Sequence, residues 1–342
     1  MQTGPSLKEF LAQAHDDGLI PGDLEQVLVE TAAACKVIGY NVQRGGLLDV
    51  LGAEGHVNVQ GEEQKKLDVI TNDILIDHMQ KTNLLAGMAS EEMEDCLPSP
   101  EDQPKGRYLL VFDPLDGSSN IDINMSVGTI FSVLPAPKKT TPIVNEDFLQ
   151  PGTEQVAAGF CLFGPATMLV ISFGNGSHCF TLDPDSEQFI LIDTKMEVPK
   201  ETQEYAVNSS NQRHWHPPMQ NYIEDLLTGV DGPRGKNFNM RWIASMVAEI
   251  YRVLSRGGIF MYPRDERNPG SKGRLRLMYE ANPMAMILEN AGGSASTGHG
   301  RIMEIQPEGL HDRVACFMGS VKEVEFAEGY HKGYSEEGVA KA

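Results

Sequence analysis

Four motifs stand where chemistry could be done. The first is Asp113-Pro114-Leu115-Asp116-Gly117-Ser118-Ser119-Asn120, which follows the apolar run Tyr108 to Phe112. Two carboxylates three residues apart at a strand end can converge on one cation. Gly117 allows a sharp turn, and the amides of Gly117, Ser118 and Ser119 can point at a phosphate. An ordinary Asp-Gly turn is the plain alternative. A calcium loop starting at Asp113 would need Glu at its twelfth position, where Asn124 stands. The second cluster, Ser90-Glu91-Glu92, ends another apolar run, so Glu91 could share a cation with Asp113 and Asp116; the alternative is a solvated acidic loop. The third, Glu62 to Asp68, precedes a helix, and there its charges could simply suit the helix dipole. The fourth, Arg274-Leu275-Arg276-Leu277-Met278-Tyr279-Glu280, alternates Arg and Leu as a strand with both arginines on one face, then places a carboxylate just before a helix.

The elements that must position these residues are legible from periodicity. Asp23 reads as an N-cap, followed by helical spacing from Leu24 to about Gly45; residues 1–22 read as polar. A second helix is expected over Leu67 to Lys81. Strands are expected at Leu84–Ala89, Tyr108–Phe112, Val127–Leu134, Gln155–Leu162, Thr167–Phe173, His178–Leu182 and Phe189–Ile192. Beyond residue 200 the rhythm alternates. Strands are expected at Tyr205–Val207, Gly258–Tyr262 and Val314–Met318, and helices at Tyr222–Leu227, Trp242–Leu254 and Pro283–Asn290. The tail from Gly329 is expected to fray. The pattern predicts a layered α/β protein of two packed halves, 1–200 with the carboxylate motifs and 201–342 with an Arg-rich site.

Charge supports that division. The chain of 342 residues carries a net −20, yet Arg234 to Arg276 holds ten Lys or Arg and three acids, a net of +7. A carboxylate-rich half that collects cations, joined to an Arg-rich half that holds anions, suits a metal-assisted phosphatase. The overall acidity argues against nucleic acid and anionic membrane as partners. No apolar stretch is long enough to span a bilayer, and no secretory leader is read at the N-terminus. Five widely spaced cysteines, with no CxxC pair, point to a reducing cytoplasm and away from structural zinc. His214-Trp215-His216 reads as a structural loop.

These motifs resemble class I fructose-1,6-bisphosphatases of the bacterial type over about residues 23–325. The resemblance rests on GLLDVLGAEGHVNVQGEEQKKLDV from Gly46, SEE from Ser90, FDPLDGSSNIDINMSVGTIF from Phe112, QPGTEQVAAGF from Gln150, GGIFMYP from Gly257 and LRLMYEANPMA from Leu275. It implies a layered α-β-α-β-α fold and a homotetramer. It also implies hydrolysis of the 1-phosphate of fructose 1,6-bisphosphate with two or more Mg²⁺ or Mn²⁺, in gluconeogenesis or the Calvin cycle. Sedoheptulose 1,7-bisphosphate is the nearest rival substrate. By resemblance, Glu91, Asp113, Asp116, Glu280 and the carbonyl of Leu115 bind metal, Asp68 and Glu92 activate water, and Glu62 binds a further metal or positions water. Gly117, Ser118, Ser119 and Arg276 bind the 1-phosphate. Asn208, Tyr262 and Arg241, the last from a neighbouring subunit, hold the 6-phosphate, and Met246 and Arg274 line the sugar. Departures from the pattern are Trp242 for a tyrosine, Asn211 for a tyrosine and Arg274 for a lysine. A nucleotide effector site would fall at Gly22, Asp23, Leu24, Arg107 and Tyr108. Its altered residues, Pro21, Glu25 and Pro135, predict weak AMP inhibition.

Overall fold

A computed structural model describes residues 4–47, 53–57, 63–100, 106–139, 141–267 and 270–334. Glu62 lies outside them. The helices are α1 (Leu7–Asp16), α2 (Gly22–Arg44), α3 (Lys66–Gln80), α4 (Pro217–Thr228), α5 (Met246–Arg256), α6 (Asn282–Asn290) and α7 (Val321–His331). Eight strands form one sheet, in the order Gln188–Asp193, Ser177–Asp183, Thr167–Ser172, Ala157–Phe163, Val127–Pro135, Tyr108–Asp116, Leu85–Ser90, Leu97–Pro98. A second sheet of five runs Asn239–Met240, Glu204–Ala206, Ile259–Tyr262, Cys316–Gly319, Ser294–Ser296.

The layering follows from the two-residue period of these strands. In the large sheet Phe131, Leu169 and Ile171 face α1, α2 and α3, packing on Leu11, Leu28 and Ile38. Their neighbours Ile130, Met168 and Val170 face the other way, onto α5 and α6. Those two helices also receive Phe260, Cys316 and Met318 from the small sheet. The alternate residues Ile259, Met261 and Phe317 cover α4 and α7. Both sheets are therefore apolar on both faces, which forces an α-β-α-β-α stack. The middle layer is shared by residues of both halves of the chain.

Several expectations are corrected. The first 22 residues are not merely polar: Ser6 and Glu9 form a reciprocal capping box that starts α1, and Leu7, Leu11 and Ala14 bury against the large sheet. Asp23 is not an N-cap; α2 begins at Gly22 after Pro21, and the Asp23 carboxylate turns to Arg107 and Tyr108. The helix expected from Trp242 starts only at Met246, because Ala244 has φ +62° and the carboxylate of Glu249 draws in the amide of Ile243 at 2.6 Å. The strand expected at Val314–Met318 is two, since the chain changes partners at Ala315, whose amide donates to Lys272. The C-terminus does not fray at Gly329: α7 continues to His331, which is buried.

Replacing Ser6 with Ala removes one half of the capping box. The expected cost is ~0.5–2 kcal/mol, confined to the first helix. Hydrogen exchange should speed up over Leu7–Asp16 and stay unchanged over Gly22–Arg44.

Candidate active site

One cleft of about 320 Å³ brings the acidic motifs together with the arginines. Its acidic wall is built by the parallel strands Leu85–Ser90 and Tyr108–Asp116, paired so that Ser90 lies beside Phe112. Parallel neighbours end at the same edge, so Glu91 and Glu92 emerge next to Asp113.

Asp113 and Asp116 are three apart, and a regular strand would send them to opposite faces. The register shows how they converge. Asp113 pairs with Ile130 and Asp116 with Gly128, so three steps on one strand match two on its partner. This bulge carries the extra residue around Pro114, which has no amide to give to the ladder. The Thr129 hydroxyl donates to the Pro114 carbonyl at 3.0 Å, and the Leu115 amide donates to Asp113 Oδ1 at 2.9 Å, fixing the kink.

Gly117 follows with φ +77° and ψ +28°. A Cβ there would also lie 2.9 Å from that of Ser245, so both conformation and space require glycine. Ser118–Ile123 continues as a 3₁₀ turn, held by the Asn120 side-chain amide donating to the carbonyls of Ser126 and Ile243. Glu280 comes from the other half of the chain. It lies in a π-helical turn, Leu277–Ala281, that leads into α6. Such turns re-aim single side chains and recur at functional sites.

The result is a triad. Carboxylate oxygens of Asp113, Asp116 and Glu280 all lie within 4.8 Å of one another, and all three residues are buried. Burial, then the charges of Glu91, Asp116 and Glu280, pushes the Asp113 carboxyl well up from its ordinary range. Burial, then the charge of Glu91, does the same to Glu280, against the pull of Arg276. Asp116 is pushed up to about 6 by burial, opposed by hydrogen bonds from the Val247 amide and the Ser245 hydroxyl, each 2.9 Å from Oδ2. Like charges this close and this dry are tolerable only with protons or a cation between them. The donors are all oxygens, with no imidazole or thiolate among them, which suits a hard divalent ion such as Mg²⁺ or Mn²⁺.

The remaining residues fall into three groups. Glu91 adjoins Asp113 and pairs with Arg276 at 3.0 Å. Asp68, at the start of α3, accepts the Lys65 amide at 2.8 Å and lines the same cleft, as do Glu92, Leu115, Gly117, Ser118, Ser119, Tyr262, Arg274 and Arg276. Burial raises the Asp68 carboxyl to about 7; the charges of Glu92 and Glu91 add to this, while the Lys65 amide and Ser118 oppose it. Outside the cleft lining are Asn208, whose side chain accepts the Ser210 amide, and Met246, in the core at the start of α5. Arg241 is half-exposed, 3.8 Å from Glu204. Trp242 stacks on Phe260 and meets the Tyr262 ring edge-on, both at 6.2 Å between centroids. Asn211 is buried in the turn after Asn208.

Two residues escaped the sequence reading. Arg313 lines the cleft as the cross-strand partner of Arg276, a pairing that no local pattern announces. Ser245 holds Asp116, but a helix read from Trp242 hides it; Ala244-Ser245 at the true helix start was the available signal.

Family models for the N-terminal and C-terminal domains of fructose-1,6-bisphosphatase match residues 7–194 and 198–332. The chain belongs to the fructose-1,6-bisphosphatase family. Among solved structures, it is similar to Leishmania major fructose-1,6-bisphosphatase in holo form, at 38% identity over 96% of this chain and 99% of that one, with a TM-score of 0.89. The T-state structure of the same enzyme matches at 36% identity, covering 97% and 100% of the two chains, with a TM-score of 0.84.

The raised carboxyls set a pH dependence for the metal-free protein. A carboxyl whose pKa is higher in the folded chain contributes stability below its ordinary value, near 4, and loses it as pH rises through the folded value. For Asp116 and Asp68 that window runs from about 4 to about 6 and about 7. With chelator present, their contribution to Tm should fall between about pH 4 and pH 7, by an expected ~5 °C or more, and added Mg²⁺ should restore it at pH 7. Glu280→Gln should flatten the pH dependence in chelator.

Proposed function

We propose that this cleft cleaves the 1-phosphate of fructose 1,6-bisphosphate by metal-assisted attack of water, in the manner of a class I enzyme of the bacterial type. The chain is a fructose-bisphosphatase, a phosphoric monoester hydrolase, on the strength of the family match over both of its domains. The observation that carries the site assignment is the buried triad Asp113, Asp116 and Glu280, facing Arg276 and the Gly117 turn across one cleft.

In this reading Asp113, Asp116 and Glu280 hold Mg²⁺ or Mn²⁺, with Glu91 and the Leu115 carbonyl completing a set of two or more sites. When bound, the ions stabilise charge on the phosphoryl and leaving oxygens and lower the pKa of water. The rest is done by side chains and amides. The Gly117–Ser119 turn and Arg276 grip the 1-phosphate, and Arg276 is held in place by Glu91. Asp68, poised near neutrality, accepts the proton of the attacking water together with Glu92. Glu62 assists in positioning that water. Arg274 lines the sugar end of the cleft, while Asn208, Tyr262 and Arg241 take the 6-phosphate. The half-exposed Arg241 is compatible with a residue offered to a neighbouring subunit, as the homotetramer of this reading requires. A cytoplasmic location agrees with the free cysteines and with the lack of a membrane-long apolar helix among the described residues.

Three measurements follow. Asp116→Asn should lower kcat on fructose 1,6-bisphosphate at least ~10³-fold at saturating Mg²⁺; near-normal turnover refutes the triad's role. Asp68→Asn should lower kcat ~10²–10⁴-fold with KM nearly constant; raised KM with intact kcat would place it in substrate binding instead. AMP should inhibit weakly, because the Asp23 carboxylate already engages Arg107 at 3.0 Å and the Tyr108 hydroxyl at 3.1 Å. Half-inhibition of the wild type at low micromolar AMP contradicts this, and Asp23→Asn should strengthen AMP several-fold.

A further inference from the structure

The segment joining the strand Asn239–Met240 to α5 is held from two sides. On one side is the carboxylate of Glu249, fully buried in the first turn of α5. It reaches back out of its own helix: Oε1 accepts the Ile243 amide at 2.6 Å, and Oε2 accepts Nε of Arg252 at 3.2 Å. On the other side the Asn120 side-chain amide donates to the carbonyls of Ile243 and Ala244, at 3.1 and 3.4 Å. Asn120 belongs to the turn that follows Gly117. Beside these grips Ala244 is exposed and stands at φ +62°. Alanine disfavours that left-handed backbone roughly 5- to 30-fold against its right-handed one. The conformation persists because the flanking hydrogen bonds impose it.

We propose that Glu249 is a positioning residue for the 6-phosphate end of the substrate. Immediately upstream of its grip lie Trp242 and Arg241. The Arg241 amide is fixed separately, to the Tyr205 carbonyl at 2.8 Å. Glu249 controls the turn beyond it, and with it the Trp242 ring, which meets Tyr262 edge-on. It also reaches the Arg241 guanidinium. Arg252 donates from Nη1 to Glu204 at 2.9 Å, and Glu204 lies 3.8 Å from Arg241. Tyr262 and Arg241 are the groups assigned above to the 6-phosphate, and the inference rests on that reading.

Packing of α5 does not account for this acid. Burying a carboxylate is costly unless its oxygens are paired, and a residue that only filled the helix interface needs no charge. Nor is Glu249 needed to start the helix, because Asp116 already caps it through Ser245 and Val247. One of its oxygens is spent on Ile243, outside the helix. Both oxygens accept from donors, an arrangement that glutamine cannot reproduce: it would turn its NH₂ toward either the Ile243 amide or Arg252.

Steady-state kinetics of the whole enzyme with Mg²⁺, beside a Mn²⁺ titration, test the proposal. Glu249→Gln should raise KM for fructose 1,6-bisphosphate at least ~5-fold and weaken inhibition by fructose 6-phosphate alike, with kcat and Mn²⁺ affinity within ~2-fold of wild type. A merely structural loss would lower kcat and Mn²⁺ affinity as well. Ala244→Gly removes the backbone penalty, so the double variant with Glu249→Gln should recover KM to within about twofold. Ala244→Val strains the same turn at an exposed position without touching Glu249 and should raise KM in the same way; it decides the matter if Glu249→Gln does not fold. Unchanged KM in a folded Glu249→Gln or in Ala244→Val overturns the proposal, as does a rise that Ala244→Gly leaves in place. Arg241→Ala separates the two levels. A normal KM there refutes the 6-phosphate reading and the inference with it. A raised KM there, beside a normal one in Glu249→Gln, refutes the positioning role alone.

Discussion

Three carboxylates cannot share a dry space of a few ångströms as free anions. Asp113, Asp116 and Glu280 do share one, and much of the fold exists to keep them there. Two come from a bulge in the large sheet and the third from a π turn beyond the small sheet's first strands. The cage therefore closes only when the two halves of the chain pack. That packing is the middle apolar layer, where α5 and α6 take side chains from both sheets. Asp116 makes the dependence explicit. Its carboxylate caps the N-terminus of α5 through Ser245 and Val247, so the group that joins the cage also starts a helix of the other half.

The electrostatics of the cleft divide along the same line. On the acidic side, burial raises Asp68, Asp113, Asp116 and Glu280, and repulsion from neighbouring carboxylates adds to it at Asp68, Asp113 and Glu280. On the basic side, Arg274, Arg276 and Arg313 approach on two short strands. The Glu91–Arg276 pair joins the two fields. Neither side is self-sufficient: the acids await cations, and the arginines suit an anion that bridges to those cations. A bisphosphate with its ions neutralises both.

Much of this was legible in the sequence, for stated reasons. DPLDGSSN after an apolar run announces a strand-end carboxylate pair with a phosphate-type turn. The separate motifs at Glu91, Asp68 and Glu280 sit at element ends, where side chains can converge. What escaped was set by tertiary context. The capping box at Ser6 and Glu9 was present, but only burial against the large sheet makes the first helix a structural element. Trp242 to Ser245 has helical periodicity, yet Asp116 and Glu249 bind the amides that decide where that helix starts. Arg313 lies far in sequence from the Arg-rich stretch and enters the cleft only by pairing across to Arg276. The bulge that turns Asp113 and Asp116 to one side is a matter of register, which composition does not encode.

The triad spans both halves of the chain, and its central role is as the cation site. A titration of the metal-free protein with Mn²⁺, followed by electron paramagnetic resonance, reads this directly in the wild type and in Glu280→Gln. That variant removes one charge at nearly constant shape and relieves repulsion, so the metal-free protein should be as stable as wild type or more so. Mn²⁺ should bind the wild type and be weakened at least ~10-fold in the variant, as expected when one charged ligand of a hard cation is lost. Equal Mn²⁺ affinity in a folded Glu280→Gln protein would contradict the account.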